Sequence, residues 1–177
     1  MLDSFRDAFK LPDLKRRILF TLGVLFIFRL GAHIPTPGID TAAMARLFEQ
    51  GAGVLGFLDI FAGGALRRFG IFALGVTPYI NSSIVFQLLV VVFPALEKMQ
   101  KESEDGRKKI IQFTRWGTIL FAGIQAVGMT FWLGRLGIFS GGLFAGLIVV
   151  LTVTAGAVTV MWLGEEITDH GIGNGIS

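Results

Sequence analysis

The run LFAGLIVVLTVTAGAVTVMWL fills residues 143–163 and contains no charged side chain. A helix that crosses a hydrocarbon core of about 30 Å needs about 20 mainly apolar residues. This run is long enough, so it predicts a membrane-spanning α-helix.

The composition of the whole chain agrees with a lipid environment. Of 177 residues, 53% are hydrophobic and only 16% are charged, whereas a soluble domain is about 45–50% apolar and about a quarter charged. The chain has no cysteine, which excludes disulfides and thiolate metal sites.

Three further apolar runs are long enough to span, at 18–34, 69–96 and 116–133. The second run is long enough to span with tilt, although it includes Pro78 and several polar residues. Trp116, Trp132 and Trp162 lie at span ends, where indole rings prefer the headgroup region. We therefore predict an all-α membrane protein with four transmembrane helices.

Basic residues orient these spans, because loops rich in Lys and Arg stay on the cytoplasmic side. Eleven lie before the first span or between the second and third, and four lie on the opposite side. The N-terminus is therefore expected in the cytoplasm. The predicted order is a cytoplasmic segment 1–17, span 18–34, external segment 35–68, span 69–96, cytoplasmic basic loop 97–115, span 116–133, external loop 134–142, span 143–163 and a cytoplasmic turn 164–177.

The basic loop 97–115 also carries acidic residues and is expected to be a solvated helical hairpin or loop. A role that only sets topology, RNA binding and contact with a cytoplasmic partner are all compatible with it.

The external segment contains an apolar stretch, VLGFLDIFA at 54–62, flanked by glycines. It is too apolar for an exposed loop and too short to cross. A short helix that re-enters a cavity from outside is one interpretation, since irregular backbone at membrane depth needs protein or water around it. A helix lying flat on the outer leaflet is the alternative, and the spacing leaves both open.

The second span carries a mixed face. At about 100° per residue, Thr77, Ile80, Asn81, Ile84 and Gln87 fall within an arc of about 120°. Polar groups inside lipid usually face protein or water. This face fits a conduit wall with an apolar constriction, and polar contacts between helices fit it equally.

Smaller residues and isolated polar groups mark packing positions. Thr152, Gly156 and Thr159 recur at helical spacing in the fourth span and predict a packing face. Gln125, in the third span, is expected to need a buried partner.

Catalytic patterns are missing from the sequence. His33 and His170 lie far apart, and neither belongs to an HExxH motif. The glycine-rich tail 171–177, GIGNGIS, lacks the preceding strand of a nucleotide-binding loop. We predict no enzyme activity, no cofactor and no metal site.

Three stretches resemble one family closely. They are FRLGAHIPTPGI at 28–39, LDIFAGGALRRFGIFALGVTPYINSSIVFQLL at 58–89 and WLGEEITDHGIGNGIS at 162–177. The chain is similar to the N-terminal part of SecY, the pore subunit of the bacterial protein-translocation channel. The resemblance implies ten spans in two halves around an hourglass channel. Because the family continues with a fifth span after this tail, it also implies that the chain covers only part of one half.

The resemblance assigns roles to particular residues. Ile80 and Ile84 match pore-ring positions, and Gln87 and Gln125 lie on the helices of the lateral gate. The short apolar helix would be a re-entrant plug that seals the resting channel, matched by Leu58, Asp59, Ile60, Phe61, Ala62, Gly63, Gly64, Ala65, Leu66, Arg67 and Arg68.

The implied function is passage of unfolded polypeptides across the bacterial inner membrane, with sideways release of membrane segments into lipid. Implied partners are the remainder of the same subunit, small SecE-type and SecG-type subunits, the SecA motor ATPase or the ribosome, and the preprotein with its signal sequence. A small-solute secondary transporter, which also uses broken helices, is the alternative from another class. A scaffold subunit and an intramembrane protease have less support from the residues.

Overall fold

The computed structural model describes residues 12–50, 53–61, 63–102, 104–139 and 141–176. The predicted N-terminal segment therefore lies largely outside the described residues, as does Ala62. Within them the fold is helical, and the helices are α1 (Pro12–His33), α2 (Thr41–Gln50), α3 (Val54–Phe61), α4 (Thr77–Val92), α5 (Pro94–Glu102), α6 (Glu104–Arg135) and α7 (Leu143–His170).

Helices α6 and α7 are each long and apolar enough to cross a membrane. Both continue past the predicted spans, α6 by three turns at its start and α7 by about two turns at its end. Helix α1 has the length of a span, but every 18-residue window in it holds at least three basic residues. Helix α1 is therefore more highly charged than α6 and α7 and is not counted with them as a candidate span.

The predicted second span, 69–96, is not one helix. Residues 69–76 form successive turns, α4 begins at Thr77, and α5 leaves α4 at an angle of 103° after Phe93. Pro94 accounts for the break, since proline disfavours a helical residue before it. Phe93 is extended, with φ −104° and ψ 107°. Together α4 and α5 can be counted as a third, bent span.

The apolar core lies where the segment 63–76 passes between α1 and α7. Its buried side chains include Ala65, Leu66, Phe69 and Phe72, packed with Val153 of α7 and neighbouring apolar residues. On α7 the buried positions repeat at helical spacing along one side, at Val149, Val153, Gly156, Val160, Leu163 and Ile167. Of the predicted packing triplet only Gly156 is buried. Thr152 is half-buried, and Thr159 is exposed, with its hydroxyl donating to the Ala155 carbonyl of its own helix.

Close backbone contacts hold this segment in place. The Ile71 amide donates to the Ile34 carbonyl and the Thr36 amide donates to Phe69, both at 2.9 Å. Gly156 packs directly on the Ile71 carbonyl, so that a Cβ added there would lie 1.8 Å from the oxygen. Only a glycine lets the irregular segment approach α7 this closely.

Gly156→Ala should therefore lower stability, because the clash is with backbone and cannot be relieved by turning a side chain. Overpacking of this kind costs about 1–3 kcal/mol. Gly123→Ala is the matched control, since a Cβ at Gly123 meets nothing within 4 Å. The midpoint temperature of unfolding in detergent can be measured from the loss of the monodisperse elution peak. We expect it to be lower for Gly156→Ala only. Equal midpoints for both variants would contradict this packing.

Candidate functional site

One face of α4 is left uncovered by the rest of the described chain. Ile80 is 40% exposed and Ile84 is 50% exposed, although both are large apolar side chains. The opposite face is buried against α6, where the Ser82 hydroxyl donates to the Thr114 carbonyl at 2.7 Å. The polar contact between α4 and α6 is thus made by Ser82, and among the described residues no hydrogen bond to another helix comes from the mixed face with Ile80 and Ile84.

Helix α3 lies within the predicted apolar stretch 54–62 and is anchored at its end to α1. The Arg29 guanidinium donates to the Gly63 carbonyl at 2.8 Å, and a Cβ at Gly63 would lie 3.0 Å from the Phe28 ring. Phe28 and Arg29 lie four to five residues before the end of α1, which corresponds to about 6–8 Å along a helix. Gly63, two residues after the end of α3, therefore packs beside the last turns of α1, an arrangement that a re-entrant segment can adopt.

Asp59 fixes the turn that follows α3. Its carboxylate accepts from the Arg67 amide at 3.0 Å, and its own carbonyl accepts from the Gly64 amide at 2.9 Å. Gly63 and Gly64 both have positive φ, 61° and 83°, which favours glycine at both places. These contacts explain why an acidic residue lies inside an otherwise apolar helix.

A central cleft of about 530 Å³ brings α3 and α4 together. Its apolar walls are contributed by α1, α3, α4 and α7, and include Val24, Phe28, Ile60, Ile80, Leu163 and Ile167. Ile60 is 75% exposed, so its side chain is available to this space. The cleft joins one residue predicted for the plug with one residue predicted for the ring.

The predicted plug residues divide into different environments. Ala65 is fully buried and Leu66 is 8% exposed in the core, whereas Arg67 and Arg68 are exposed. Leu66 is therefore a packing residue and does not point into the central cleft, a distinction that its apolar character alone does not reveal.

The two glutamines are not brought together. Gln87 is exposed at a polar cleft with Tyr79 and Arg115, whereas Gln125 is half-buried in the middle of α6. Antiparallel packing places Ser82 and Phe86 opposite Gly117 and Phe113. Gln87 and Gln125 are then separated by about 20 Å along the helices. Within the described part of the chain, no hydrogen bond is made by the Gln125 side chain.

Polar contacts connect α6 with α7, and the chain after α7 with α1, on the predicted cytoplasmic side. Arg115 of α6 donates to the carboxylate of Glu165 on α7 at 2.9 Å. After α7, Arg17 donates to the Gly171 carbonyl at 3.2 Å, and the Ile172 amide donates to the Thr21 hydroxyl at 3.1 Å. No sequence motif marked these pairs, since their members are 50 to 154 residues apart.

The glycine tail turns back along α7. A Cβ at Gly175 would lie 2.1 Å from the Gly164 carbonyl, so the two backbones are in direct contact. The described residues of the tail thus form a tight return turn after α7, whereas residues 164–170 of the predicted turn are helical. Among the described residues, no group of three or more His, Asp or Glu side chains could hold a metal ion.

Comparison with known proteins shows consistent similarity. A family model for SecY matches residues 70–177. The protein translocase subunit SecY of Streptomyces griseus is 46% identical over 190 residues, covering 100% of this chain and 44% of the relative. The corresponding subunit of Escherichia coli K12 is 47% identical over 173 residues, covering 94% and 39%. The chain therefore spans less than half the length of these curated relatives.

Solved structures share the fold. Sec61 in a canine ribosome-channel complex from the endoplasmic reticulum aligns with a TM-score of 0.63 at 18% identity, over 92% of this chain and 34% of the other. A structure described as that of a protein conducting channel gives the same TM-score and coverage. A structure from a study of the SecY plug domain aligns with a TM-score of 0.59 at 20% identity, over 93% of this chain and 34% of the other.

Arg29→Gln should loosen the anchored end of α3, because it removes the charged donor to Gly63. A loss of about 1 kcal/mol makes local opening about fivefold more frequent. Hydrogen exchange at the Gly64 amide, which donates to the Asp59 carbonyl at 2.9 Å, reports this opening.

Faster exchange of this amide is expected with Arg29→Gln than with the native arginine. Arg68→Gln is the control, since it removes the same charge from an exposed position. Identical rates in all three backgrounds would refute the anchoring role of Arg29.

Proposed function

The chain belongs to the SecY family, and on that premise we propose that it forms the pore-lining part of a protein-conducting channel. The channel passes unfolded polypeptides across the membrane and releases apolar segments sideways into lipid. Membership of this family sets aside the small-solute transporter as an alternative.

The observation that carries the proposal is the shared central cleft of α3 and α4. Ile60 and Ile80 line the same apolar space, and Ile84 follows Ile80 by one turn on the exposed face. In this proposal Ile80 and Ile84 form part of a constriction that excludes ions by dewetting. The plug consists of α3 and the turns that follow it as far as Arg68, and it closes one side of this constriction.

Movement of the plug is compatible with its contacts. The Arg29 guanidinium holds Gly63 by an exposed hydrogen bond, and the Asp59 carboxylate holds the Arg67 amide, whereas Ala65 and Leu66 belong to the core. In this proposal an incoming chain displaces α3 by breaking these two contacts, while Ala65 and Leu66 stay in place. Phe69, with φ 45°, fixes the path of this stationary part.

Sideways release needs no chemical step in this chain. An apolar segment gains about 25 cal/mol per Å² when it leaves water for lipid, so an opening along α4 and α6 lets it partition into the membrane. Gln87 and Gln125 lie on these helices and are proposed as gate positions at two separate levels. We propose that the chain has no enzyme activity and that an external motor supplies the driving force.

The remaining assignments also rest on the resemblance. The exposed apolar face of α4 is proposed to pack against further spans of the same channel subunit. Small SecE-type and SecG-type subunits, SecA or the ribosome, and a preprotein with its signal sequence are the proposed partners. The proposed location is the bacterial inner membrane with a cytoplasmic N-terminus, which places residues 97–115, the later part of α5 and the start of α6, in the cytoplasm.

Replacing both ring residues should weaken the seal. Ile80→Ser with Ile84→Ser places two hydroxyls on the constriction, and a wetted constriction no longer excludes ions by dewetting. Higher ion conductance through the resting channel in planar bilayers is expected. Val85→Ser is the matched control, because Val85 is a similarly exposed neighbour on α4. Unchanged conductance in the double variant would count against the ring assignment.

Crosslinking should trap the plug. Cysteines at Ile60 and Ile80 are expected to join through a short bifunctional reagent, since both line the central cleft. The joined protein should lose translocation and recover it when a cleavable linker is cut. The control pairs Ile60→Cys with a cysteine at Ile124, an exposed position on α6. Equal crosslinking of both pairs would contradict the proposed position of α3.

A further inference from the structure

A second cleft lies on the outside of the bundle, between the end of α6 and the start of α7. Its volume is about 580 Å³, and its walls are mainly apolar, contributed by Val127, Phe131, Phe139, Leu143, Leu147 and Val150. Val127, Phe131 and Leu147 are each more than half exposed. We call this space the α6–α7 groove.

The position of the groove along the helices is marked by Trp132, which is 41% exposed. Indole rings prefer the headgroup region of a bilayer. Arg135 follows Trp132 by about one turn and ends α6. The apolar walls of the groove therefore lie at the depth of acyl chains, and Arg135 lies at the depth of phosphates.

Positive charge is concentrated at the outer end of the groove. The Arg135 guanidinium lies 4.9 Å from the centre of the Phe131 ring, which holds it beside the groove. Among the described residues, no carboxylate forms an ion pair with it. The same end holds Gly142, the N-cap of α7, which offers no side-chain hydrogen bond to the helix amides. A helix N-terminus carries partial positive charge, so it adds to the charge of Arg135.

We propose that the α6–α7 groove binds an anionic phospholipid, with one acyl chain along the groove and the phosphodiester at Arg135. Charge complementarity favours this occupant over an apolar helix of another protein, which carries no anion to pair with the guanidinium. Arginine pairs well with phosphate oxygens because it presents several N–H donors in one plane.

The headgroup decides the selectivity of this site. Lipid tails are as apolar as the groove walls, so an acyl chain gains little by moving into it from the bilayer. A single arginine near the membrane surface favours an anionic lipid by about fivefold. Phosphatidylglycerol is therefore expected to be retained over phosphatidylethanolamine by a factor of this size.

Native mass spectrometry of the channel complex, exchanged into micelles with both lipids, measures this preference. Arg135→Gln should abolish the fivefold preference, and Arg135→Lys should keep part of it. Arg46→Gln is the matched control, since Arg46 is an exposed arginine on α2, outside the groove. Gly146→Leu is a second test, because a Cβ at Gly146 lies 3.8 Å from Phe139 and a larger side chain extends into the groove. That variant should lose bound lipid while its thermal midpoint shows that it is folded.

The source of the phosphate and the class of occupant are tested separately. Inorganic phosphate at millimolar concentration should not displace the lipid, and a photoreactive residue at Leu147 should crosslink to lipid. Displacement by inorganic phosphate, or a crosslink to a protein, would overturn the proposal. So would an Arg135→Gln variant with the native lipid preference.

Discussion

Non-helical backbone between α1 and α7 is the constraint on which the rest of the structure depends. Inside a membrane every backbone polar group needs a partner, and residues 63–76 have no helix to supply one. Asp59 receives the Gly64 and Arg67 amides, and Ile34 receives the Ile71 amide. Turns within the segment satisfy the amides of Phe69, Gly70, Ala73 and Gly75. These hydrogen bonds give partners to more than half of the amides in the chain that returns from α3.

The same constraint explains the glycines along this path. Gly70 packs on the Ala32 carbonyl and Gly156 packs on the Ile71 carbonyl, so backbone meets backbone on both sides of the segment. The central cleft is left beside this contact, with Ile60 on one wall and Ile80 on another. The segment after Gly64 is thus held by backbone contacts on both sides, whereas the contacts described between α3 and its surroundings involve the Arg29 and Asp59 side chains.

The sequence predicts the apolar helices well and the path between them poorly. The uncharged run 143–163 lies within α7, and the apolar stretch 54–62 contains α3. The start of the second span was predicted at residue 69, but the helix begins at Thr77. Phe69, Ile71 and Phe72 are as apolar as helix residues, and hydropathy reports where a residue lies and not its backbone angles.

The Arg29 contact and the Arg115–Glu165 pair join residues 34 and 50 positions apart, which spacing cannot reveal. The exposure of Ile80 and Ile84 on α4 distinguishes them from the buried contact made by Ser82, and the role of the mixed face stays a prediction.

The break at Pro94 has a mechanical consequence. Helix α5 leaves α4 at 103°, so it extends nearly at right angles to the α4 axis and acts as a lever arm. Its nine residues make an arm about 13 Å long. A rotation of α4 by about 10° about its own axis would then carry the far end of α5 by about 2 Å. A small turn of the helix that bears Ile80 and Ile84 is thereby converted into a larger displacement at the membrane surface.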